Sequence, residues 1–350
     1  MNYSYPRLLE TLAVGEGLVL ATIVETEGST PQVRGASAIF SRAGLVAGTV
    51  GGGLLEARVE SIAGEALRDG KARLVTIRLD ADPSDMEGAI CGGAARVLID
   101  PGVGRERAVF EKALHGFRKR RPGYLVAAIR PAMGDIVDVE RVWVPAGEAW
   151  NTDRNVLTGV GFGISDTEVP SWPGLVKGEG RLTFIELILP LPRLIIAGAG
   201  HVGRAVARLG SLLDWSVTVI DDRPEFANVE NIPEADEIIV GDIGDSVRII
   251  EDSQDNYFVI VTRGHKNDAE ALLAALGRPA AYVGMIGSKR KIELMHCEFL
   301  EGGWATAEEW ARVHAPIGLE IGSKTVEEIA VSIAAELVLV RSKRKESGRP

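Results

Sequence analysis

A chain of 350 residues, 46% hydrophobic and 25% charged, has the size and apolar content of two soluble domains, each with its own core. Its net charge of −10 argues against a broad nucleic-acid or anionic-membrane surface, and no uninterrupted apolar run nears the roughly 20 residues of a bilayer span. Two cysteines, Cys91 and Cys297, are too few for a disulfide framework; with no signal-peptide layout in MNYSYPRLLE, they predict a cytoplasmic protein.

The first half reads as α+β. An apolar run at Leu18–Val24 ends in GSTPQVRGA (Gly28–Ala36), and GTVGGGLLE (Gly48–Glu56) feeds a helical stretch near Leu54–Leu67. ICGGAARVLI (Ile90–Ile99) leads into an apolar run at Val97–Ile99, and further short strands are expected at Tyr124–Ile129, Val137–Val144 and Leu182–Leu189.

Each of the three glycine-rich stretches joins glycines to a polar or reactive residue at a strand end. Successive glycine N–H groups form a nest for an anion, and Arg34 adds a planar clamp for phosphate. No Lys-Ser/Thr pair follows Gly51, Gly52 and Gly53, so GTVGGGLLE is not a P-loop. Glu56 opposes a bound phosphate and suits the amino groups of a heterocycle instead. Cys91, flanked by Gly92 and Gly93, is either a reachable thiol or a buried small hydrophobe, whereas Cys297 in ELMHCEFL reads as structural.

Pro190-Leu191-Pro192 punctuates the chain. It sets the expected organisation: an N-terminal domain at 1–189, a second at 190–342 and a basic tail at 343–350. Beyond it, apolar strands at Leu194–Ala197, Val217–Ile220, Glu237–Val240, Tyr257–Val261 and Ala281–Ile286 alternate with helical segments at Val202–Leu213, Asp245–Glu251 and Asp268–Leu276. That alternation predicts a parallel, Rossmann-like sheet covered on both faces. The last segment, TVEEIAVSIAAELVLVR, opens on a capping box of Thr325 and Glu328. It carries one apolar face through Val326, Ile329, Ala330, Ile333, Ala334 and Leu337, for packing on the sheet or on a second copy of the chain.

GAGHVG supplies Gly198, Gly200 and Gly203 in the G-x-G-x-x-G spacing, after a strand and at the start of a helix. Asp221 stands 23 positions past the first glycine, where an acidic residue takes a ribose diol. Gly198, Gly200, His201, Val202, Gly203, Asp221, Asp222 and Arg223 are therefore the predicted dinucleotide contacts. A carboxylate at 221 favours NAD, and Arg223 keeps NADP open. His201, His265, Asp268 and His314 fall where this fold gathers ligands. For His201, His265 and Asp268, hydrogen bonding to phosphate or substrate ranks first, plain structural roles next and a metal last, and no firm metal site follows. Asp268 also suits the N-cap of its helix.

Taken together, GSTPQVRGA, GTVGGGLLE, ICGG, GAGHVGRAVA, VTVIDDRPEFAN, VTRGHKND, GMIGSKRK and HAPIGLEIGSKTVEEIAVSIAAEL closely resemble the xanthine dehydrogenase accessory family (XdhC/CoxI type) over nearly the whole chain. Gln32 departs from the arginine that members often carry there. The resemblance implies a protein that binds molybdenum cofactor as cargo, protects it during sulfuration and passes it to a molybdenum hydroxylase apoenzyme, with a cysteine desulfurase as a second partner. It makes Ser29, Arg34, Gly51, Gly52, Gly53, Glu56 and Cys91 the cofactor-site candidates, assigns NAD(P) to the C-terminal half, and suggests a homodimer. Two other readings stay open: an NAD(P)-dependent oxidoreductase using His265, Lys289 or Arg290, and a nucleotide-sensing regulatory protein.

Overall fold

The computed structural model describes residues 17–79, 92–145, 173–178 and 180–346; Cys91 and residues 347–350 lie outside them. The chain divides into two compact units, Met1–Pro190 and Leu191–Pro350.

Among its described residues, the first unit builds one antiparallel sheet from β1 (Val19–Glu27), β2 (Ser37–Ser41), β3 (Gly44–Gly48), β4 (Ala72–Arg78), β5 (Ala94–Asp100), β6 (Gly123–Met133), β7 (Ile136–Pro145), β8 (Gly174–Gly178) and β9 (Arg181–Ile188). The strand order is β3-β2-β1-β5-β4-β7-β6-β9-β8. Strand β1 is buried on both faces because two helices sandwich it. Val19, Ala21 and Ile23 pack on α1 (Gly53–Asp69) through Leu55, Val59, Ala63 and Ala66. Leu20, on the other face, joins Phe110 of α2 (Arg107–Arg118). The alternation follows from the two-residue period of a strand.

The second unit holds a parallel sheet of β10 (Arg193–Ala197), β11 (Ser216–Asp221), β12 (Glu237–Val240), β13 (Asn256–Ile260), β14 (Tyr282–Met285) and β15 (Val313–His314). Its order is β12-β11-β10-β13-β14-β15, the Rossmann arrangement, with the direction of winding reversing between β10 and β13. Leu194 and Ile196 pack under α3 (His201–Leu212) and α8 (Val326–Glu346). Ile195 and Ala197 face α5 (His265–Ala275) and α6 (Lys289–Glu301). Two shorter helices, α4 (Ile243–Arg248) and α7 (Ala307–Trp310), complete the described α-helices, and a 3-10 helix spans Pro101–Glu106 in the first unit.

One local expectation is narrowed and three change. The apolar face of α8 is spent on the sheet of its own unit, through Ala330, Ile333 and Leu337. That helix runs on to Glu346, so residues 343–346 of the expected basic tail belong to it, and Arg341 donates to the Leu213 carbonyl at 3.4 Å. The cap of α5 is Gly264, not Asp268, which sits fully buried in the first turn. Cys297 is exposed on α6 and is no part of the core.

Candidate functional site

In the first unit the glycine-rich stretches are brought to one place. β1 ends at Glu27, and the chain turns through Gly28 at φ 66°. It returns to pair Gly35 N with Ile23 O at 2.8 Å and Ile23 N with Ala36 O at 2.9 Å. Ser29 forms an isolated parallel bridge with Gly92, the residue after Cys91. A Cβ on Gly93 would fall inside the Ser29 carbonyl, and one on Gly51 would lie 2.8 Å from Pro31 Cβ. Only glycine permits those approaches, so GSTPQVRGA touches both other motifs. Gly51, Gly52 and Gly53 turn into α1 at φ 125°, 64° and 53°, a left-handed run that side chains disfavour.

Glu56 is already engaged there. Its Oε2 accepts from Thr49 Oγ1 at 2.7 Å and from Val50 N at 3.3 Å, closing the turn that α1 starts from. Arg34 has the opposite character: its Nε is buried and has no hydrogen-bond partner among the described residues. It lines an open hollow with Thr26, Gly28, Ser29, Thr30 and Gln32. On the other side of Gly28 a second hollow is lined by Glu27, Thr76, Arg78, Gly92 and Gly93.

In the second unit the loop from β10 to α3 carries GAGHVG. Gly198 has φ 116°, and a Cβ there would meet the Val261 carbonyl; a Cβ on Gly203 would overlap Gly198 O. Gly200 differs, because a Cβ there would meet nothing within 4 Å and its φ is −70°. His201 is exposed at the start of α3, and Val202 packs partly against the core.

Asp221 ends β11, buried, and its acceptors are taken. Oδ1 receives Arg223 N at 3.0 Å and Arg223 Nε at 2.9 Å; Oδ2 receives Ala199 N at 2.7 Å and Arg223 Nη2 at 3.0 Å. A carboxylate offers about four such positions. Burial alone would raise the Asp221 pKa, but the Arg223 guanidinium and the two N–H groups outweigh it and hold the carboxyl below the usual range. The Arg223 guanidinium also lies 3.9 Å from the Phe226 ring centroid. Asp222 remains partly exposed.

At the ends of β13 and β14, Asp268 accepts from Thr262 Oγ1 at 2.6 Å and pairs with Lys291. His265 Nε2 is 2.7 Å from Glu298 Oε2 at the surface. His201, His265 and Asp268 form no metal centre, and among the described residues no group of three or more His, Cys, Asp or Glu is placed to hold one. His314 Nδ1 lies 2.9 Å from Glu336 Oε1, beside the ring of Tyr282. Lys291 and Glu336 were missed in the sequence; the basic run GSKRK after a strand was the signal for the first, and nothing local marked the second.

Known proteins match both units. Residues 11–78 fit the model of the XdhC and CoxI family, and residues 194–337 fit that of the XdhC Rossmann domain. Uncharacterized protein YqeB of Escherichia coli (strain K12) is 28% identical over 92% of this chain, which spans only 43% of that relative's length. A probable xanthine dehydrogenase subunit of Bacillus subtilis (strain 168) is 26% identical, with 94% of each chain covered. Molybdenum cofactor insertion chaperone PaoD of Escherichia coli (strain K12) is 22% identical over 97% of this chain and 88% of its own. The crystal structure of a xanthine dehydrogenase from Bacillus halodurans superposes with a TM-score of 0.77 at 27% identity, covering 99% of this chain and 98% of the other. With both units matched and near full-length relatives alongside, the chain belongs to the XdhC and CoxI family.

Proposed function

We propose that the chain is a maturation factor for a molybdenum hydroxylase: it binds molybdenum cofactor in its N-terminal unit, holds it during sulfuration and delivers it to an apoenzyme of the xanthine dehydrogenase or CO dehydrogenase type. The observation that carries this reading is the convergence of Ser29, the Gly51–Gly53 turn and Gly92 at one end of the first sheet, with the unpaired Arg34 Nε close by. The insertion role in the name of PaoD supports the class of cargo. Cys91 is the proposed sulfur-side contact, a cysteine desulfurase the sulfur donor, the cytoplasm the site of action and a homodimer the assembly.

NAD(P), with NAD favoured, is the proposed ligand of the second unit. The residues fit it at the glycine loop: nothing among the described residues explains why position 200 is glycine, and a pyrophosphate approaching that backbone does. They fit less well at the ribose, where Arg223 fills Asp221; Asp222, partly exposed and 3.7 Å from Arg223 Nε, is the more accessible carboxylate beside it. A bound NAD would supply hydride-transfer chemistry, and this chain's residues would orient it through the Gly198–Gly203 loop.

Gentle purification followed by mass spectrometry and pterin fluorescence tests the cargo reading. A phosphorylated pterin recovered with the protein, and lost with Cys91→Ser, supports it. Protein that neither carries nor takes up a pterin refutes it, and steady NADH turnover with a small carbonyl compound would identify an oxidoreductase instead.

A further inference from the structure

Three buried side-chain polar atoms among the described residues have no hydrogen-bond partner, and Arg34 Nε is the only donor of the three. Native proteins leave few buried donors unpaired, because the group has given up water and received nothing in return. Arg34 is also held in place. Its loop is pinned to β1 by Gly35 N to Ile23 O, and closed on itself by Ala36 N to Val33 O at 3.1 Å.

The surroundings of Arg34 select an anion. The hollow it lines carries the hydroxyls of Thr26, Ser29 and Thr30 and the amide of Gln32, and among the described residues no carboxylate lines it. Two of the nearby acids are committed elsewhere. Glu25 pairs with Lys177 at 3.1 Å and with Arg96 at 3.5 Å, and Glu56 closes the turn at Thr49 and Val50. Thr30 Oγ1 donates to Gln32 O at 2.8 Å, which shapes the loop around the hollow. What the described residues offer is a guanidinium without a counter-ion, one of its N–H groups already desolvated, in an opening lined mostly by small or polar residues, with Val33 and Pro173. A phosphoryl group, with several acceptor oxygens and one or two negative charges, matches that set; a pterin ring, with its own amino donors, does not.

We infer that the hollow beside Arg34 is a phosphoryl-binding subsite, in which Arg34 Nε donates to a phosphate oxygen of the cargo. The identity of the cargo rests on the maturation reading above; the binding of a phosphoryl group by Arg34 does not. The three glycines at 51–53 and Glu56 then serve to shape the neighbouring wall rather than to carry the anion.

The test titrates the full chain and its Arg34→Ala and Arg34→Lys variants with inorganic pyrophosphate at fixed ionic strength, then with a phosphorylated pterin and its dephosphorylated form. Arg34→Ala should weaken pyrophosphate binding about tenfold or more, the usual effect of losing a hydrogen bond to a charged group. Arg34→Lys keeps the charge but loses the Nε donor, and should fall several-fold; it also reads the effect should Arg34→Ala not fold. Wild type should prefer the phosphorylated pterin, and Arg34→Ala should lose that preference. Equal pyrophosphate affinity in all three proteins overturns the subsite, including the case where the glycine loop of the second unit binds all the pyrophosphate. A wild type that ignores both pterins, while pyrophosphate binding still depends on Arg34, leaves the subsite standing and removes the cargo reading.

Discussion

Gly198, Gly200 and Gly203 are glycines for different physical reasons. Position 198 needs a left-handed φ and lies against the Val261 carbonyl, and position 203 lets α3 start against the Gly198 carbonyl. Position 200 needs neither, and the proposed pyrophosphate is what would call for a bare backbone there. Gly200→Ala is therefore expected to leave unfolding stability within about 1 kcal/mol of wild type. It should weaken NAD binding at least about tenfold, since backbone approach to the pyrophosphate is blocked. Gly203→Ala should lower both, and a Gly200→Ala protein that binds NAD normally would show that no ligand approaches there. Asp221 makes the opposite point. Its place 23 residues past Gly198 is legible in the sequence, but its saturation depends on the rotamer of Arg223, which no spacing rule reports. Arg223→Ala frees the acceptor positions that its side chain fills and is expected to tighten NAD binding about fivefold, the scale of one competing hydrogen bond or ion pair. Weaker binding in a calorimetric titration would instead place Arg223 against the nucleotide.

The elements that were legible are those whose burial repeats a simple pattern. Parallel strands such as Leu194–Ala197 are apolar without alternation because helices cover both faces, and the capping box of Thr325 and Glu328 marks where α8 begins. The hairpin of β2 and β3 was not legible, since β3 is half exposed and carries little apolar contrast. Helix α2 was equally hidden, with only Phe110, Ala113 and Gly116 buried. Strand β4 alternates weakly, with Arg73, Thr76 and Arg78 between its apolar residues. The role of Glu336 on α8 is a product of folding alone. It gathers the Tyr282 hydroxyl, Gly318 N at 2.7 Å and His314 Nδ1 at 2.9 Å from segments far apart in the chain. Burial and the neighbouring carboxylate push the Tyr282 phenol up; burial alone would raise Glu336, but its three partners outweigh it and hold it below the usual range. Glu336→Ala leaves the phenol buried without an acceptor and should cost about 2 kcal/mol, read as a shifted urea midpoint at unchanged slope. Because the folded pKa of Glu336 lies below its unfolded value of about 4.3, its contribution is present above that pH and is lost as pH falls through the folded pKa. The gap between wild type and Glu336→Ala should therefore narrow below about pH 4. A gap constant from about pH 7 down to about pH 3 would show that the carboxylate charge is not what stabilises α8.

At the scale of the whole chain, each unit closes its own core. Among the described residues, the clusters around Leu194 and Ile195 draw only on residues after Pro190, and those around Val19, Leu20, Val24 and Val126 only on residues before it. The two glycine-rich sites are divided the same way, and every described contact that shapes the dinucleotide loop, from Val261 to Arg223, comes from the second unit. Stability in such a chain is local to each core, and ligand binding should be as well. A fragment of residues 191–350 is long enough to bury a self-sufficient core and is expected to unfold in one cooperative urea transition. Its NAD affinity should stay within about threefold of the full chain, because no described contact that positions Gly200 is removed with the first unit. A fragment that folds but fails to bind would mean that nucleotide contacts reach across from the first unit, and the two ligands would then have to be treated as sharing one site.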